Sequence, residues 1–279
     1  MGIVDFILNL AGLLLWLNWR SNRFDPLVKR QPATLMGTLR PAAPRPLRRW
    51  RLLAFIAGLL LLRAVVYWWV GSQASWAGKV NLGVVVLWFS SNPHWVGFWH
   101  MALFSFASFG VVLGIFHVWL LLLSLLAGPL PVHGLVKIPL GRVDGWPRWV
   151  RAVLPFLVTS VIWWLASWLL SRLHILTPLP PAGRLQQALI LGASSYLLWK
   201  IPLGAILGLH LLNTYIYFGK HPFWKYVNAT AQTILQPLNG IPLRASKVDF
   251  TPLVGIGLIF LAAHFAERGL AQLFNRLPL

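Results

Sequence analysis

The sequence predicts an all-α polytopic membrane protein with five or six transmembrane helices arranged as two parallel repeats. Of its 279 residues, 58% are hydrophobic and only 10% are charged, and the mean hydropathy is +0.69. Soluble cores of this length are less apolar and more charged. Apolar stretches of roughly 20 residues, the length that a bilayer requires, recur along the chain between short basic connections.

Five apolar stretches are predicted to cross the membrane: 52–70, 98–127, 150–170, 186–218 and 251–270. Residues 3–19 are also apolar and lack the basic start of a cleaved signal, which leaves both a sixth crossing and an interfacial helix open. Val80–Ser91 is too short to cross and is predicted as an interfacial or re-entrant piece. Residues 223–235 are predicted as an amphipathic segment.

Positive charge is concentrated in the connections. The net charge is +19, and nine of the 24 basic residues lie between Arg20 and Arg51. When residues 20–51, 128–151 and 219–250 are assigned to one side, 17 basic residues lie there and five on the other. This bias predicts a multi-pass protein of the bacterial inner (cytoplasmic) membrane, whose basic cytoplasmic loops contact anionic lipid headgroups. Since no basic-aromatic module of recognisable fold is present, nucleic acid is not an expected partner.

A motif between Gln236 and Leu253 has a fainter copy between Gly128 and Trp149. In each copy a Pro-rich basic loop carries one aspartate, Asp249 or Asp144, and leads directly into an apolar run. Such doubling predicts a duplication. The chain then divides into an N-terminal apolar segment with a basic, Pro-rich cytoplasmic linker, a first membrane repeat and a second membrane repeat, at residues 1–51, 52–171 and 172–279.

Two pairs of glycines at a spacing of four predict close helix contacts. Gly110 and Gly114 lie on one long apolar stretch, and Gly204 and Gly208 lie on another. Small residues at this spacing let helix backbones approach closely, so these two helices are expected to cross each other. The alternative is that an apolar chain with 23 glycines contains such pairs by chance.

The second half carries a family resemblance in Gln236-Pro237-Leu238, Ile241-Pro242-Leu243-Arg244 and Val248-Asp249-Phe250-Thr251-Pro252-Leu253. On these residues, the segment from about Leu209 to Leu270 resembles the YggT (YlmG) family of small membrane proteins. Thr251 stands where serine is common in that family, and the first copy keeps only the aspartate and the proline. The resemblance implies a membrane factor linked to cell division and osmotic tolerance in bacteria, or to nucleoid distribution and cytochrome b6 haem attachment in plastids, without a settled catalytic mechanism.

The second loop is predicted to form a rigid corner that opens a helix. Pro252 suits the first helical turn, where its missing N–H is not needed. Thr251 or Asp249 can accept hydrogen bonds from free backbone N–H groups, and a basic neighbour can pair with the aspartate. The corner is either purely structural or a docking surface for a partner protein, which would use Pro237, Arg244, Lys247, Asp249 and Pro252.

An enzyme is not expected. The chain has five carboxylates and no cysteine, and it lacks Walker, G-x-S-x-G and H-E-x-x-H motifs. Arg63 and Lys200 lie within apolar stretches, near enough to helix ends to reach the headgroups, so neither alone indicates a transporter or channel. We therefore expect a non-catalytic scaffold, assembly factor or accessory subunit of a larger membrane complex, with other membrane subunits as partners and no cofactor.

Four histidines define the main alternative. His117 and His210 are expected at similar depth near one end of their helices, and His100 and His264 near the other end. Two such pairs could ligate haem b or a chlorin axially in a subunit of an electron-transfer or photosynthetic complex. The competing interpretation is that each histidine hydrogen-bonds a neighbouring helix or faces headgroups.

Overall fold

The computed structural model describes residues 2–24, 49–73, 77–90, 95–126, 139–173, 176, 180–216, 221–238, 240, 244–245 and 248–276. Six helical stretches within this part of the chain are long and apolar enough to cross a membrane. Four of them coincide with the predicted spans that start at residues 52, 98, 150 and 251, and a fifth, Pro181–Tyr215, overlaps most of the predicted span 186–218. The sixth, Gly2–Ser21, is the N-terminal segment. The predicted all-α polytopic membrane protein is confirmed.

The helices are α1 (Gly2–Phe24), α2 (Arg49–Gln73), α3 (Trp95–Leu126), α4 (Arg148–Arg172), α5 (Pro181–Ser194), α6 (Lys200–Tyr215), α7 (Pro222–Leu235) and α8 (Thr251–Asn275). Short 3-10 helices occupy Gly141–Gly145, Ser195–Trp199 and Gln236–Leu238. Two hairpins complete the described elements: β1 (Ala77–Asn81) with β2 (Val86–Ser90), and β3 (Arg244–Ala245) with β4 (Val248–Asp249).

The chain forms two compact units. The first comprises Met1–Val80 and Leu87–Gly114, and the second comprises Asn81–Val86 and Ile115–Leu279. The predicted boundaries of the two repeats, at residues 51/52 and 171/172, stay a prediction.

In the first unit, α1 and α2 run antiparallel. Leu15 and Trp16, late in α1, pack against the early α2 residues Ile56 and Leu60, and Phe109 of α3 completes this cluster. Gly12 permits the close approach of α3, because a Cβ there would lie 2.7 Å from the Phe109 ring. Apolar burial between the three helices therefore holds the middle of α1 against the first half of α2.

In the second unit, the amphipathic α7 covers α6. Val227 and Ala231 of α7 and Leu207 of α6 are fully buried, whereas the opposite face of α7 is exposed and includes Lys225 and Gln232. The amphipathic segment predicted at 223–235 is confirmed in this α7. Elsewhere in the unit, α4 and α5 approach closely at Gly192, where a Cβ would overlap the Ser160 hydroxyl and lie 2.8 Å from the Phe156 carbonyl oxygen.

The stretch 186–218, expected as one helix, is interrupted by the 3-10 segment Ser195–Trp199. Ser194 and Ser195 donate their hydroxyl hydrogens to backbone carbonyls three residues earlier, both at 2.7 Å. Pro202 has no N–H to donate to the Leu198 carbonyl four residues before it. The Trp119 indole N–H donates to that carbonyl instead, at 3.0 Å. Serine back-bonding and a proline together account for the interruption, and a side chain of α3 replaces the missing donor.

Val80–Ser91, expected as an interfacial or re-entrant piece, contributes most of the β1–β2 hairpin. Gly83 sits in the turn with φ +88°, a conformation that favours glycine. Its N–H donates to the Asn81 side-chain oxygen at 2.8 Å, which closes the turn.

Candidate functional site: ion pairs within the two units

A buried arginine links all three helices of the first unit. Arg63 of α2 donates from one terminal nitrogen to the Asp5 carboxylate at 2.5 Å and to the Ser108 hydroxyl at 3.1 Å. Its other terminal nitrogen donates to the Asn9 amide oxygen at 2.9 Å. Tyr67, one turn further along α2, donates its hydroxyl to the same Asp5 oxygen at 2.6 Å. Helices α1, α2 and α3 thus share one polar cluster, which we call the Arg63 cluster.

The Arg63 cluster places a permanent cation in the interior. The Arg63 side chain is 0% exposed, whereas that of Asp5 is 23% exposed. The guanidinium carbon lies 5.4 Å from the centre of the Tyr67 ring and 5.3 Å from that of Phe104, so aromatic rings also face the charge. The partner of Arg63 is supplied inside the unit by α1, and the expectation that this side chain reaches the headgroups stays a prediction. Its Nε atom is buried without a hydrogen-bond partner among the described residues.

The Arg63 cluster also shows that α1 runs antiparallel to α2. Asp5 and Asn9 contact Arg63, which lies fourteen residues after the start of α2, while Leu15 and Trp16 pack near its beginning. These contacts extend along much of both helices. Both α1 and α2 are long and apolar enough to cross a membrane, and their antiparallel packing is compatible with crossing side by side.

A second ion pair connects the 3-10 helix Gly141–Gly145, at the end of the first Pro-rich loop, to α3 and α4. Asp144, in the 3-10 helix before α4, accepts from the Ser124 hydroxyl of α3 at 2.6 Å and pairs with Arg151 of α4 at 3.4 Å. Arg151 also donates to the Ser124 hydroxyl and, at 3.0 Å, to its carbonyl oxygen. The arginine and the serine are buried. The aspartate of the fainter motif copy therefore joins a helix end to the next helix start.

A third ion pair lies beside the interruption between α5 and α6. The Lys200 ammonium, at the first residue of α6, donates to a Glu267 carboxylate oxygen of α8 at 3.0 Å. The two side chains are 29% and 43% exposed. Lys200 is therefore paired within the unit. A cation at the N-terminal end of a helix is unfavourable with respect to the helix dipole, and the carboxylate offsets that effect.

The four glycines that were predicted as contact points have different surroundings in the structure. A Cβ on Gly204 would lie 2.7 Å from the Phe260 ring, so this glycine admits α8 against α6. At Gly110, Gly114 and Gly208, a Cβ would meet no atom of the described chain within 4 Å. The predicted crossing of the two glycine-bearing helices stays a prediction.

The second Pro-rich loop is described only in part. Pro252 lies in the first turn of α8 and is buried, as the helix-start pattern predicted, and Pro237 is exposed. Arg244 and Asp249 are directly opposed in the backbone ladder of β3 and β4, with their side chains outside the described set, where Lys247 also lies. Phe250, not Thr251 or Asp249, occupies the N-cap position of α8.

Among the histidines, His210 has the most defined surroundings. Its Nδ1 lies 2.9 Å from the Asn228 side-chain oxygen, and Asn213 donates to the same oxygen at 3.2 Å. His117 is half-buried with its ring 5.8 Å from that of Phe116, His100 is half-buried, and His264 is exposed. Within the described residues, no group of three or more His, Cys, Asp or Glu side chains could hold a metal ion.

Sequence reasoning missed the three ion pairs. One signal was present, because Asp5 and Asn9, and likewise Arg63 and Tyr67, are spaced by four and so share a helix face. Residue spacing within a helix does not reveal which other helix it faces, and the paired residues are 58 and 67 positions apart in the first and third pairs.

Comparisons with protein-family models, with curated proteins and with solved structures find no match to this chain. The resemblance to the YggT family therefore rests on the motif residues of the second half.

Proposed function

We propose that this chain is a non-catalytic integral membrane protein that acts as a scaffold, assembly factor or accessory subunit of a larger membrane complex. In this proposal it resides in the bacterial inner membrane, with its basic loops in the cytoplasm. The observation that carries the proposal is the use of its carboxylates: Asp5, Asp144 and Glu267 each form an ion pair with a cation of the same unit. These three are the carboxylates whose side chains the structure describes.

A paired carboxylate of this kind suits a structural role better than a chemical one. Asp5 accepts from both Arg63 and Tyr67, and Asp144 from both Ser124 and Arg151. Each carboxylate therefore has several donors and a fixed positive charge as partners inside the protein. The same contacts join helices, so they favour a rigid frame over a reactive or transporting centre.

The outward surfaces supply faces for partner subunits and lipid. Almost none of the apolar stretch of α8 is buried, and Leu253, Leu261 and Phe265 are more than half exposed. Gly110 and Gly114 on α3 are exposed and open. Since exposed small residues at this spacing allow another helix to approach closely, we assign this pair to contact with a second membrane subunit. The YggT resemblance, which implies factors without settled catalysis, agrees with such a role.

The test is recovery of partners from native membranes in mild detergent. Gly110→Ile and Gly114→Ile together are expected to lower partner recovery, while the unfolding temperature of the purified protein stays unchanged because both positions are exposed and an added Cβ meets no described atom within 4 Å. Gly257→Ile is the matched control, since Gly257 of α8 is equally open but has leucines, Leu253 and Leu261, four positions away on either side. Unchanged recovery in the double variant, or an equal loss in the control, would contradict the assigned contact. Failure to recover any stoichiometric partner would contradict the accessory role.

A haem- or chlorin-binding subunit is the second candidate, and the surroundings of His210 favour it. Asn228 Oδ1 can only accept a hydrogen bond, so the 2.9 Å contact places the proton on Nδ1 and leaves the lone pair on Nε2. Histidines that ligate metals are oriented in this way by a second residue. His210 would then hold the central metal of a tetrapyrrole, which supplies redox or light-absorbing chemistry. A visible band that is lost in His210→Ala and weakened or shifted in Asn228→Ala would favour this candidate, and a colourless preparation would exclude it.

A further inference from the structure

The β1–β2 hairpin has two chemically different faces. Gly78, Val80, Leu87 and Phe89 are buried, and the alternating residues Lys79, Asn81, Val86 and Trp88 are exposed. This alternation is the pattern of a sheet that packs on protein with one face only.

The inner face fixes the hairpin to α3. A Cβ on Gly78 would lie 2.7 Å from the Phe104 ring, and the ring centres of Phe89 and Phe104 are 5.9 Å apart. Phe104 in turn covers Arg63, whose guanidinium carbon lies 5.3 Å from its ring centre. The hairpin therefore shields the Arg63 cluster from this side.

The contact with Phe104 fixes the position of the hairpin along the axis of α3. Phe104 follows the first residue of α3 by nine positions, which is about 14 Å at ~1.5 Å per residue. With 32 residues, α3 is about 48 Å long and exceeds the ~30 Å hydrocarbon core. When this excess of about 18 Å is assigned to the Trp95 end, the hairpin packs beside the part of α3 that lies in the headgroup layer.

The outer face has the chemistry of that layer. Trp88 is 57% exposed, and the Lys79 ammonium lies 4.1 Å from the centre of its ring. Trp69 near the end of α2 and Trp99 near the start of α3 are 66% and 67% exposed. Exposed tryptophans at the ends of membrane helices mark the headgroup level, and a lysine beside them provides a cation for lipid phosphates.

The backbone gives an independent argument. In a two-stranded hairpin, about half of the N–H and C=O groups point away from the partner strand. Such groups are not tolerated against hydrocarbon, but water and phosphate oxygens in the headgroup layer satisfy them. Only three residues join α2 to β1, and four join β2 to α3, so the hairpin stays close to both helix ends.

We propose that the outer face of the β1–β2 hairpin is a phospholipid-binding surface in the headgroup layer. Lys79 contacts lipid phosphates and enriches anionic lipid at this site, and Trp88 holds the hairpin at the level where headgroups meet acyl chains. This inference requires that α2 and α3 cross the membrane with the Trp95 end of α3 in the headgroup layer, and it is independent of the partner complex proposed above.

The first experiment measures depth. Because the chain has no cysteine, Val86→Cys gives a single attachment point for a bimane label on the outer face. In phosphatidylcholine vesicles, lipids with a nitroxide on the headgroup are expected to quench this label more than lipids with a nitroxide deep in the acyl chain. Leu62→Cys, an exposed position along the apolar part of α2, is the control and should show the opposite order. Quenching by aqueous iodide alone would overturn the proposal, and so would protection from every quencher, which would indicate a covering protein.

The second experiment tests the role of the lysine. Quenching of the Val86→Cys label by spin-labelled phosphatidylglycerol is compared with quenching by spin-labelled phosphatidylcholine in mixed vesicles. Lys79→Gln is expected to lower the local enrichment of phosphatidylglycerol roughly fivefold, and Lys79→Arg should preserve it. An enrichment that does not change in Lys79→Gln would overturn the assignment of Lys79 to lipid phosphate.

Discussion

Removing the acidic partner of the Arg63 cluster should be more harmful than removing the arginine. Asp5→Asn leaves the guanidinium of Arg63 with hydrogen-bond acceptors but no opposite charge, in a side chain that is 0% exposed. Arginine cannot release its proton to escape this situation. Arg63→Met leaves Asp5, which is 23% exposed and keeps the Tyr67 hydroxyl as a donor. The order of the two effects is therefore set by the difference in burial.

The magnitudes follow from this difference. An unpaired buried charge costs about 3–5 kcal/mol, and we expect Asp5→Asn to lower the free energy of unfolding by about 3 kcal/mol. Asp5 also lies in the first turn of α1, where a negative charge is favoured by a further ~0.3–1 kcal/mol. Arg63→Met removes a donor from Asn9 and from Ser108, which amounts to about 1–2 kcal/mol, because Asp5 is partly exposed and keeps the Tyr67 hydroxyl as a donor.

The assay is reversible unfolding in mixed micelles of mild detergent and dodecyl sulfate, followed by circular dichroism. The double variant Asp5→Asn/Arg63→Met is the control, and it should be about as stable as Arg63→Met alone because no charge is left unpaired. If Arg63→Met were the more destabilising change, or if the double variant lost the sum of both effects, then charge neutralisation would not be what holds α1 against α2.

Three further predictions can be checked with the same assay. Trp119→Phe should lower the free energy of unfolding by about 1 kcal/mol, but by almost nothing in the Pro202→Ala background, where the restored N–H supplies the donor; additive effects would contradict this exchange. Gly192→Ala should cost about 1–3 kcal/mol because its Cβ overlaps the neighbouring helix, whereas Gly208→Ala should be close to neutral, and equal effects would contradict the packing. Ser124→Ala should cost about 1–3 kcal/mol, since the hydroxyl joins a buried arginine to an aspartate; a neutral result would show that the pair holds without it.

The positions of the membrane helices were predictable because they depend on runs of apolar residues, which can be read directly from the sequence. A run of apolar residues such as Thr251–Leu270 has to be a helix in a membrane, where every backbone group needs a partner within the segment. The interruption at Ser195–Trp199 was not predicted as a break, although Pro202 was visible. Proline is tolerated in membrane helices when another group satisfies the freed carbonyl, and here that group comes from Trp119, 79 positions before Leu198.

The side-chain contacts were less predictable than the helices. Reasoning from the sequence assigned Arg63 to the headgroups because snorkelling requires no partner, whereas pairing with Asp5 requires that α1 packs antiparallel against α2. The sequence left open whether α1 packs in this way. The orientation of the loops, the repeat boundaries and the contact between the two glycine-bearing helices depend on the membrane or on the relation between units, and they stay predictions.

The distribution of charge links the interior of the protein to its surroundings. With five carboxylates and 24 basic residues, most cations have no acidic partner in the chain. The described carboxylates pair with Arg63, Arg151 and Lys200, three of the cations that lie within the membrane helices. The remaining positive charge must be balanced from outside, and anionic lipid headgroups are the counter-charge that a membrane provides. The described acidic residues therefore hold helices together through ion pairs, while the excess basic residues favour an anionic membrane surface. Lys79 on the hairpin is the position at which this contribution of a basic residue to lipid binding can be measured.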